Sequence, residues 1–260
     1  MTILPLFQPD LMNIPLEIAK NYLIKVPFIN SIAKKKHITG VNQDEVGIQA
    51  IFDLYHEYVD FVGKDVVELG PGHTYGVAKK IVEAGAASMT IIDIDQYIPD
   101  EDLKKYPEIQ YVVYPGQKMP LPSNHFDVVL SYTVYEHLRQ PECTVRETFR
   151  ILKKGGLAIH LIDLGDHMYY GIDDKKQFNH IRYSLFLWNL ISRNRSIYVN
   201  RIQLSGWREL HKAAGFDILS EKLKFHELSR SLFSDGGLSY LNKIRPEDRF
   251  VSNILLVTSK

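Results

Sequence analysis

Three histidines stand near acids at points where a strand would end. The stretch HLIDLGDH carries His160, Asp163 and His167. Side chains alternate along a strand, so His160 and Ile162 share one face and Asp163 falls near the carboxyl end. Asp163 is then placed to orient His167 as a base, and an imidazole of ordinary pKa, about 6.5, suits proton transfer near neutrality. His137, in YEHL after the strand FDVVLSY, is nevertheless the first candidate base, and the HLIDLGDH set the second; a role in shaping the pocket competes with His137 on equal terms. His160, Asp163 and His167 also have the composition of a metal set. They offer no clear fourth ligand, so direct acid–base use is preferred and no metal is expected. The plainest reading of His160 is an interior histidine with its hydrogen bonds met.

A second group of residues suits a nucleotide-like ligand. ELGPGHTYG places Glu68 before Gly70 and Gly72. Glycines there let the chain turn sharply and approach a ligand closely, and the helix that follows offers free N–H groups. The turn lacks the GK[ST] ending of a P-loop, and its third glycine is displaced to Gly76, which disfavours a dinucleotide. Asp93 and Asp95 follow about 20 residues on, the separation at which an acid bonds ribose hydroxyls. Asp93 closes the apolar run MTII and fits better; Asp95 suits a helix cap.

These groups need a scaffold that brings strand ends together. DVVEL, SMTIIDID, IQYVV, FDVVLSY and LAIHLID read as strands, with helices VAKKIVEAG and PECTVRETFRIL between them and KKGG as a turn. Such alternation argues for a parallel sheet covered on both faces. FDILSEKLKFHEL and VSNILLVTS read as closing strands, with antiparallel pairing a natural way to close. Residues 1–60 read as a helical N-terminal extension or cap, broken by Pro15 and Pro27. Within it, NQDEVGIQAIFDLYHEYV turns Ile48, Ile51, Phe52, Tyr55 and Val59 to one side. Packing on the sheet is the first reading. A lid to which Tyr22, Tyr55 and His56 contribute is the second.

In this order the motifs resemble the class I S-adenosylmethionine-dependent methyltransferases, above all the type-11 group. ELGPG, IIDID, PLPSNHFDVVLS, YEHL and LKKGG match that pattern over about residues 64–163. The resemblance implies a Rossmann-like seven-stranded methyltransferase sheet, mostly parallel with an antiparallel closing strand. The main domain would be 61–260, with 164–200 as an acceptor-binding insert. It implies S-adenosyl-L-methionine as cofactor: Glu68, Gly70 and Gly72 on the methionine side, Asp93 on the ribose, Ser131 and Tyr132 beside the sulfonium. The family often has an acid after the third strand. Here stand Pro115, Gly116 and Gln117, so adenine recognition falls to Gly116 and Gln117.

The insert is rich in aromatic and charged residues. Tyr169, Tyr170, Phe178, Tyr183, Trp188 and Tyr198 are candidate walls for an acceptor, although aromatic residues at helical spacing more often form core. Arg182 and Arg201 suit an anionic group, because guanidinium pairs well with carboxylate or phosphate. HLIDLGDH with the later YVNRI resembles methyltransferases of bacterial surface-polysaccharide and related small-molecule pathways. That implies O-methylation of a sugar, a nucleotide-linked intermediate or a phosphate-bearing compound. N-methylation and a non-catalytic cofactor-binding module are the alternatives.

Composition narrows the partners. Basic and acidic residues number 31 each, with no global basic footprint for nucleic acid. Lys34-Lys35-Lys36 is the one dense basic run and reads as a solvated helix end. Cys143, the single cysteine, permits no intrachain disulfide. No secretion signal or membrane span is evident, which points to a cytoplasmic protein acting on a small molecule.

Overall fold

The computed structural model describes residues 13–26, 28–29, 44–99, 101, 104–114, 117–169 and 171–260. Lys34–Lys36, Pro27, Pro115, Gly116 and Tyr170 lie outside the described residues.

The centre is a seven-stranded sheet of order β3-β2-β1-β4-β5-β7-β6. Its strands are β1 (Asp65–Leu69), β2 (Ser88–Asp93), β3 (Ile109–Val113), β4 (Phe126–Tyr132), β5 (Leu152–Asp163), β6 (Asp217–Phe225) and β7 (Val251–Ser259). Pairings from β3 through β5 are parallel, and β7 runs antiparallel to both β5 and β6. The central strands are apolar runs rather than alternations because helices cover both faces. Val66, Ile91, Val128 and Ile159 face one core; Val67, Ile92, Val129 and Ala158 face the other.

Helical spacing decides which helix covers which face. In α3 (Gly76–Glu83), Val77, Ala78 and Ile81 are buried. In α4 (Pro141–Ile151), Pro141, Thr144, Val145, Thr148 and Ile151 form the buried stripe, and Pro141 opens the helix where its missing N–H costs nothing. In α6 (Leu204–Ala214), Leu204, Trp207 and His211 face inward, and Gly215 ends the helix at φ 103°.

The lead-in supplies α1 (Ile14–Leu23) and α2 (Glu45–His56). Pro15 begins α1 rather than breaking it, since the first turn tolerates proline. α2 buries Ile48, Ile51 and Tyr55 against α3, where a Cβ on Gly76 would meet Ile48 Cδ1 at 2.3 Å. α1 instead packs on α5 (Leu185–Ser192) of the insert. Asn21, buried there, donates to the Leu190 carbonyl at 2.8 Å and accepts from the Asn194 N–H at 2.8 Å.

Two sequence expectations are corrected here. KKGG is not a turn before β5 but a bulge inside it: Phe126 pairs with Leu152, whereas Val128 pairs with Leu157. The looped residues let Lys153 reach Asp65 at 2.9 Å and Asp127 at 2.8 Å, tying three neighbouring strands together. The sixth strand also does not run on through FHEL. It stops at Phe225, and His226 caps α7 (Glu227–Ser234), its ring nitrogen accepting from the Ser229 N–H.

Candidate functional site

Parallel pairing brings the strand ends level. Leu69 lies beside Ile92 on one side and Ser131 on the other, and Ser131 lies beside His160. The glycine turn, Asp93, Tyr132 and Asp163 therefore share one edge of the sheet, where ligands of such folds bind. Gly70 and Gly72 have φ 67° and 68°, in the left-handed region that favours glycine. Gly70 has a further reason to lack a side chain, since its Cβ would stand 2.6 Å from Val134 Cγ2.

The acids beside this turn are charged at a cost. Asp93 accepts from the Ile94 N–H at 2.7 Å and the Gly72 N–H at 3.3 Å. Burial still outweighs those bonds and pushes its pKa up to about 6. Glu68 is buried, and its Oε2 has no hydrogen-bond partner. Burial first, then the charge of Asp93, raises its pKa to about 8. Tyr55 closes the group from α2: it is fully buried, its hydroxyl is without a partner, and Glu68 and Tyr132 are its electrostatic neighbours. Tyr22, by contrast, is exposed. Gln117 follows β3 at the same edge, next to the residues outside the description.

The second half of the site is a short turn, Tyr135–His137, stitched to the end of the insert. The Asn200 N–H donates to the Glu136 carbonyl at 2.7 Å, and Asn200 Nδ2 donates to the Tyr135 carbonyl at 2.7 Å. His137 Nδ1 bonds the Tyr198 carbonyl at 2.7 Å; a carbonyl only accepts, so that nitrogen carries the proton. Burial, then His167 and Arg139, pushes the His137 pKa down to about 4. The His167 ring lies 4.8 Å from that of His137, and its Nε2 is 3.7 Å from Asp163 Oδ2. Glu136, His137 and His167 bring one carboxylate oxygen and two ring nitrogens within 4.8 Å of one another.

His137, Asp163 and His167 are thus brought together. His160 is not part of that group: it is fully buried, and its Nδ1 lies 2.8 Å from the Ser131 hydroxyl. The set with metal-ligand geometry consequently contains Glu136 instead of His160. The same bond engages the Ser131 side chain, which is itself fully buried.

The insert divides into core and polar parts. Phe178 and Trp188 are buried in small satellite clusters, so they support walls rather than form them. Trp188 Nε1 donates to the Val199 carbonyl at 2.8 Å, and the Arg139 guanidinium lies 3.7 Å from the centre of the Tyr198 ring. These contacts hold the segment that orients His137. Arg182 lines a cavity of about 350 Å³ with Lys175, Asn179 and Tyr240, a lining that does not include Arg201. Arg201 sits at φ 67°, with its Nε and Nη1 buried and without hydrogen bonds. Burial lowers its pKa, while Asp166 and Tyr198 favour its charge. Asp166 and His180, buried nearby, were not singled out by sequence. Neither was Glu136, although its place in the YEHL pair marked the position.

Residues 67–160 match the model of a methyltransferase domain family. A probable S-adenosylmethionine-dependent methyltransferase of Mycobacterium tuberculosis is 31% identical over 96 residues, 37% of this chain and 34% of that protein. A counterpart from Mycolicibacterium smegmatis is 32% identical over 97 residues, 37% of each chain. The chain thus spans about a third of the length of the curated relatives it matches. Among solved structures, an S-adenosylmethionine-dependent methyltransferase from Mesorhizobium loti superposes with TM-score 0.54 at 13% identity, over 80% of this chain and 96% of that one. Phosphoethanolamine N-methyltransferase 2 of Haemonchus contortus, in complex with S-adenosyl-L-methionine, gives TM-score 0.56 at 16% identity, over 98% of this chain and 61% of that one. These structures share the fold.

Proposed function

Because the chain carries a class I S-adenosylmethionine-dependent methyltransferase domain, we propose that it methylates an oxygen of a small-molecule acceptor at the cluster formed by His137, Asp163 and His167. The observation that carries the cofactor half is the acid pair beside the glycine turn. Glu68 is buried and Asp93 half-buried, and burial raises the pKa of both, to about 8 and about 6. A ligand bearing an ammonium, a sulfonium and ribose hydroxyls supplies what that pocket lacks. The bound cofactor contributes a methyl group already activated by cationic sulfur.

The protein's own residues bind, orient and move a proton. The Asp93 carboxylate accepts from ribose hydroxyls, as its place at the end of β2 suits. Glu68 pairs with the amino group of the methionine portion, and Gly70 and Gly72 let the backbone come close. Gln117, with the backbone around Gly116, would take the adenine. Tyr132 borders the sulfonium; Ser131 contributes through its backbone, since its hydroxyl is engaged with His160.

Aligning donor and acceptor is the main task, an effect worth up to about 7–11 kcal/mol in intramolecular systems. An oxygen nucleophile must also lose a proton. His137, with a pKa near 4, is a weak base at neutral pH, and its ring is suited to accept a hydrogen bond and position the acceptor. His167, 3.7 Å from Asp163, takes the proton. Arg201, with Tyr198 near it in sequence, would meet an anionic group of the acceptor, Tyr170 would add an aromatic contact, and Arg182 would extend that preference to the outer cavity. A sugar, nucleotide-linked or phosphate-bearing compound of a surface-polysaccharide or related pathway fits these residues.

Calorimetry with S-adenosylmethionine and S-adenosylhomocysteine tests the first half; failure of both to bind at millimolar concentration overturns it. Screening nucleotide sugars and phosphorylated small molecules, with His167→Ala as comparison, tests the second. An undiminished turnover rate in that variant removes His167 as the base.

A further inference from the structure

We propose that Glu136, His137 and His167 form a binding site for one divalent transition-metal ion of the zinc, manganese or iron class. Their three donor atoms lie within 4.8 Å of one another. Around an ion with bonds of about 2.0–2.2 Å, tetrahedral ligands stand roughly 3.4 Å apart. Binding an ion would therefore require the side chains to draw closer by up to about 1.4 Å.

An independent observation points to a ligand. Glu136 is only 2% exposed, and neither of its carboxylate oxygens makes a hydrogen bond of good geometry; the backbone N–H groups of Glu136 and Asp163 ease its charge only in part, and the Asp163 carboxylate opposes it. A buried carboxylate in that condition is costly, and a cation at its oxygens removes the cost. His137 supplies a further one. Its Nδ1–H donates to the Tyr198 carbonyl, which leaves Nε2 as the nitrogen with a lone pair to offer. Metal-bound imidazoles are commonly oriented through such a bond at the other ring nitrogen. The turn that carries both residues is pinned by Asn200. Asp163 Oδ2, 3.7 Å from His167 Nε2, stands ready as an outer partner or a fourth ligand.

Two imidazoles with one carboxylate select zinc, manganese or iron over magnesium and calcium, which prefer oxygen ligands throughout. Three protein ligands also leave a position open. Its consequence for methyl transfer rests on the function proposed above. With the ion bound, His137 and His167 would serve as ligands in place of the positioning and base roles given to them above for the metal-free protein; an acceptor hydroxyl at the open position would be held and acidified by the ion, and Asp163, then an outer partner and not a ligand, would receive the proton. The ion site itself does not depend on that reading.

The test uses the full chain without an affinity tag, cleared of metal by a chelating resin. Co²⁺ is titrated in and its visible absorption followed, then displaced by Zn²⁺. One equivalent of Co²⁺ is expected to bind. His167→Gln, His137→Gln and Glu136→Gln each weaken it at least about tenfold, the scale at which even outer partners of metal sites act. His56→Ala, an exposed histidine of α2, leaves the affinity unchanged. Circular dichroism confirms folding; should Glu136→Gln not fold, the two histidine variants carry the test. Absence of stoichiometric binding to the parent, or equal affinity in the folded ligand variants, overturns the proposal. S-adenosylmethionine affinity is measured on the same samples by calorimetry. Cofactor binding without metal binding sinks the ion site alone, and the reverse sinks the methyl-donor reading alone.

Discussion

A carboxylate at the end of a buried strand has little water to solvate its charge, and Glu68 is in that position. Its pKa near 8 means that the ligand-free protein holds it largely protonated at pH 7. Pairing with an ammonium favours the ionised form, so S-adenosylmethionine binding should release a proton there. In calorimetry, the apparent enthalpy at pH 7 should vary with the ionisation enthalpy of the buffer; in Glu68→Gln that dependence should shrink. The sign for stability is opposite to that of an ordinary salt-bridged acid. The folded pKa is raised above 4.5, so the stabilising contribution is complete below that pH and is lost as pH rises through about 8. Thermal midpoints of the ligand-free parent should fall over this interval more than those of Glu68→Gln. Asp93 makes a companion case. Asp93→Ala should weaken cofactor binding by about 1.5–3 kcal/mol, the range for hydrogen bonds to a charged group. Unchanged affinity would remove it from the ribose.

At the scale of elements, the turn between β1 and α3 depends on its left-handed glycines, with the Asp93 carboxylate and the Thr74 hydroxyl accepting from its N–H groups. Gly70→Ala places a Cβ 2.6 Å from Val134 Cγ2 at a residue with φ 67°. Left-handed backbone costs an L-residue roughly 1–2 kcal/mol before the clash is counted. Urea unfolding should show a loss of at least that size. Adding Val134→Ala should recover the clash and leave the backbone cost. A single variant as stable as the parent would mean that the turn is not constrained as described. The turn that carries Glu136 and His137 is held differently, by Asn200 from across the chain.

At the scale of the molecule, the lead-in serves two places. α2 closes on Glu68 and Tyr132 through Tyr55 and on Gly76 through Ile48, and α1 clasps residues 185–195 through Asn21 and the Glu17–Arg195 ion pair. Asn21→Ala leaves the Asn194 N–H and the Leu190 carbonyl without their partner, a loss of about 1–3 kcal/mol if they stay dry. Hydrogen exchange should quicken over residues 185–194, while S-adenosylmethionine affinity stays as in the parent. Protection equal to the parent's would show that α1 does not brace the insert. Among the described residues no helix is long and apolar enough to cross a membrane.

The sequence by itself determined the sheet, the glycine turn and the acids beside it. Such features are local: a run of apolar residues, a glycine and an acid at a strand end each act within a few residues of themselves. It also placed Asp163 and His167 together, because they are separated by a single short turn. Tertiary structure alone decided the rest. The bulge in β5 depends on partners from β1 and β4, and the engagement of His160 with Ser131 depends on the register of two strands. Glu136 looked like an ordinary acid in a YEHL pair until Asn200 and Tyr198, more than sixty residues later in the chain, buried it beside His137 and His167. Burial is a property of the whole packing, and it is burial that gives these acids and imidazoles their chemistry.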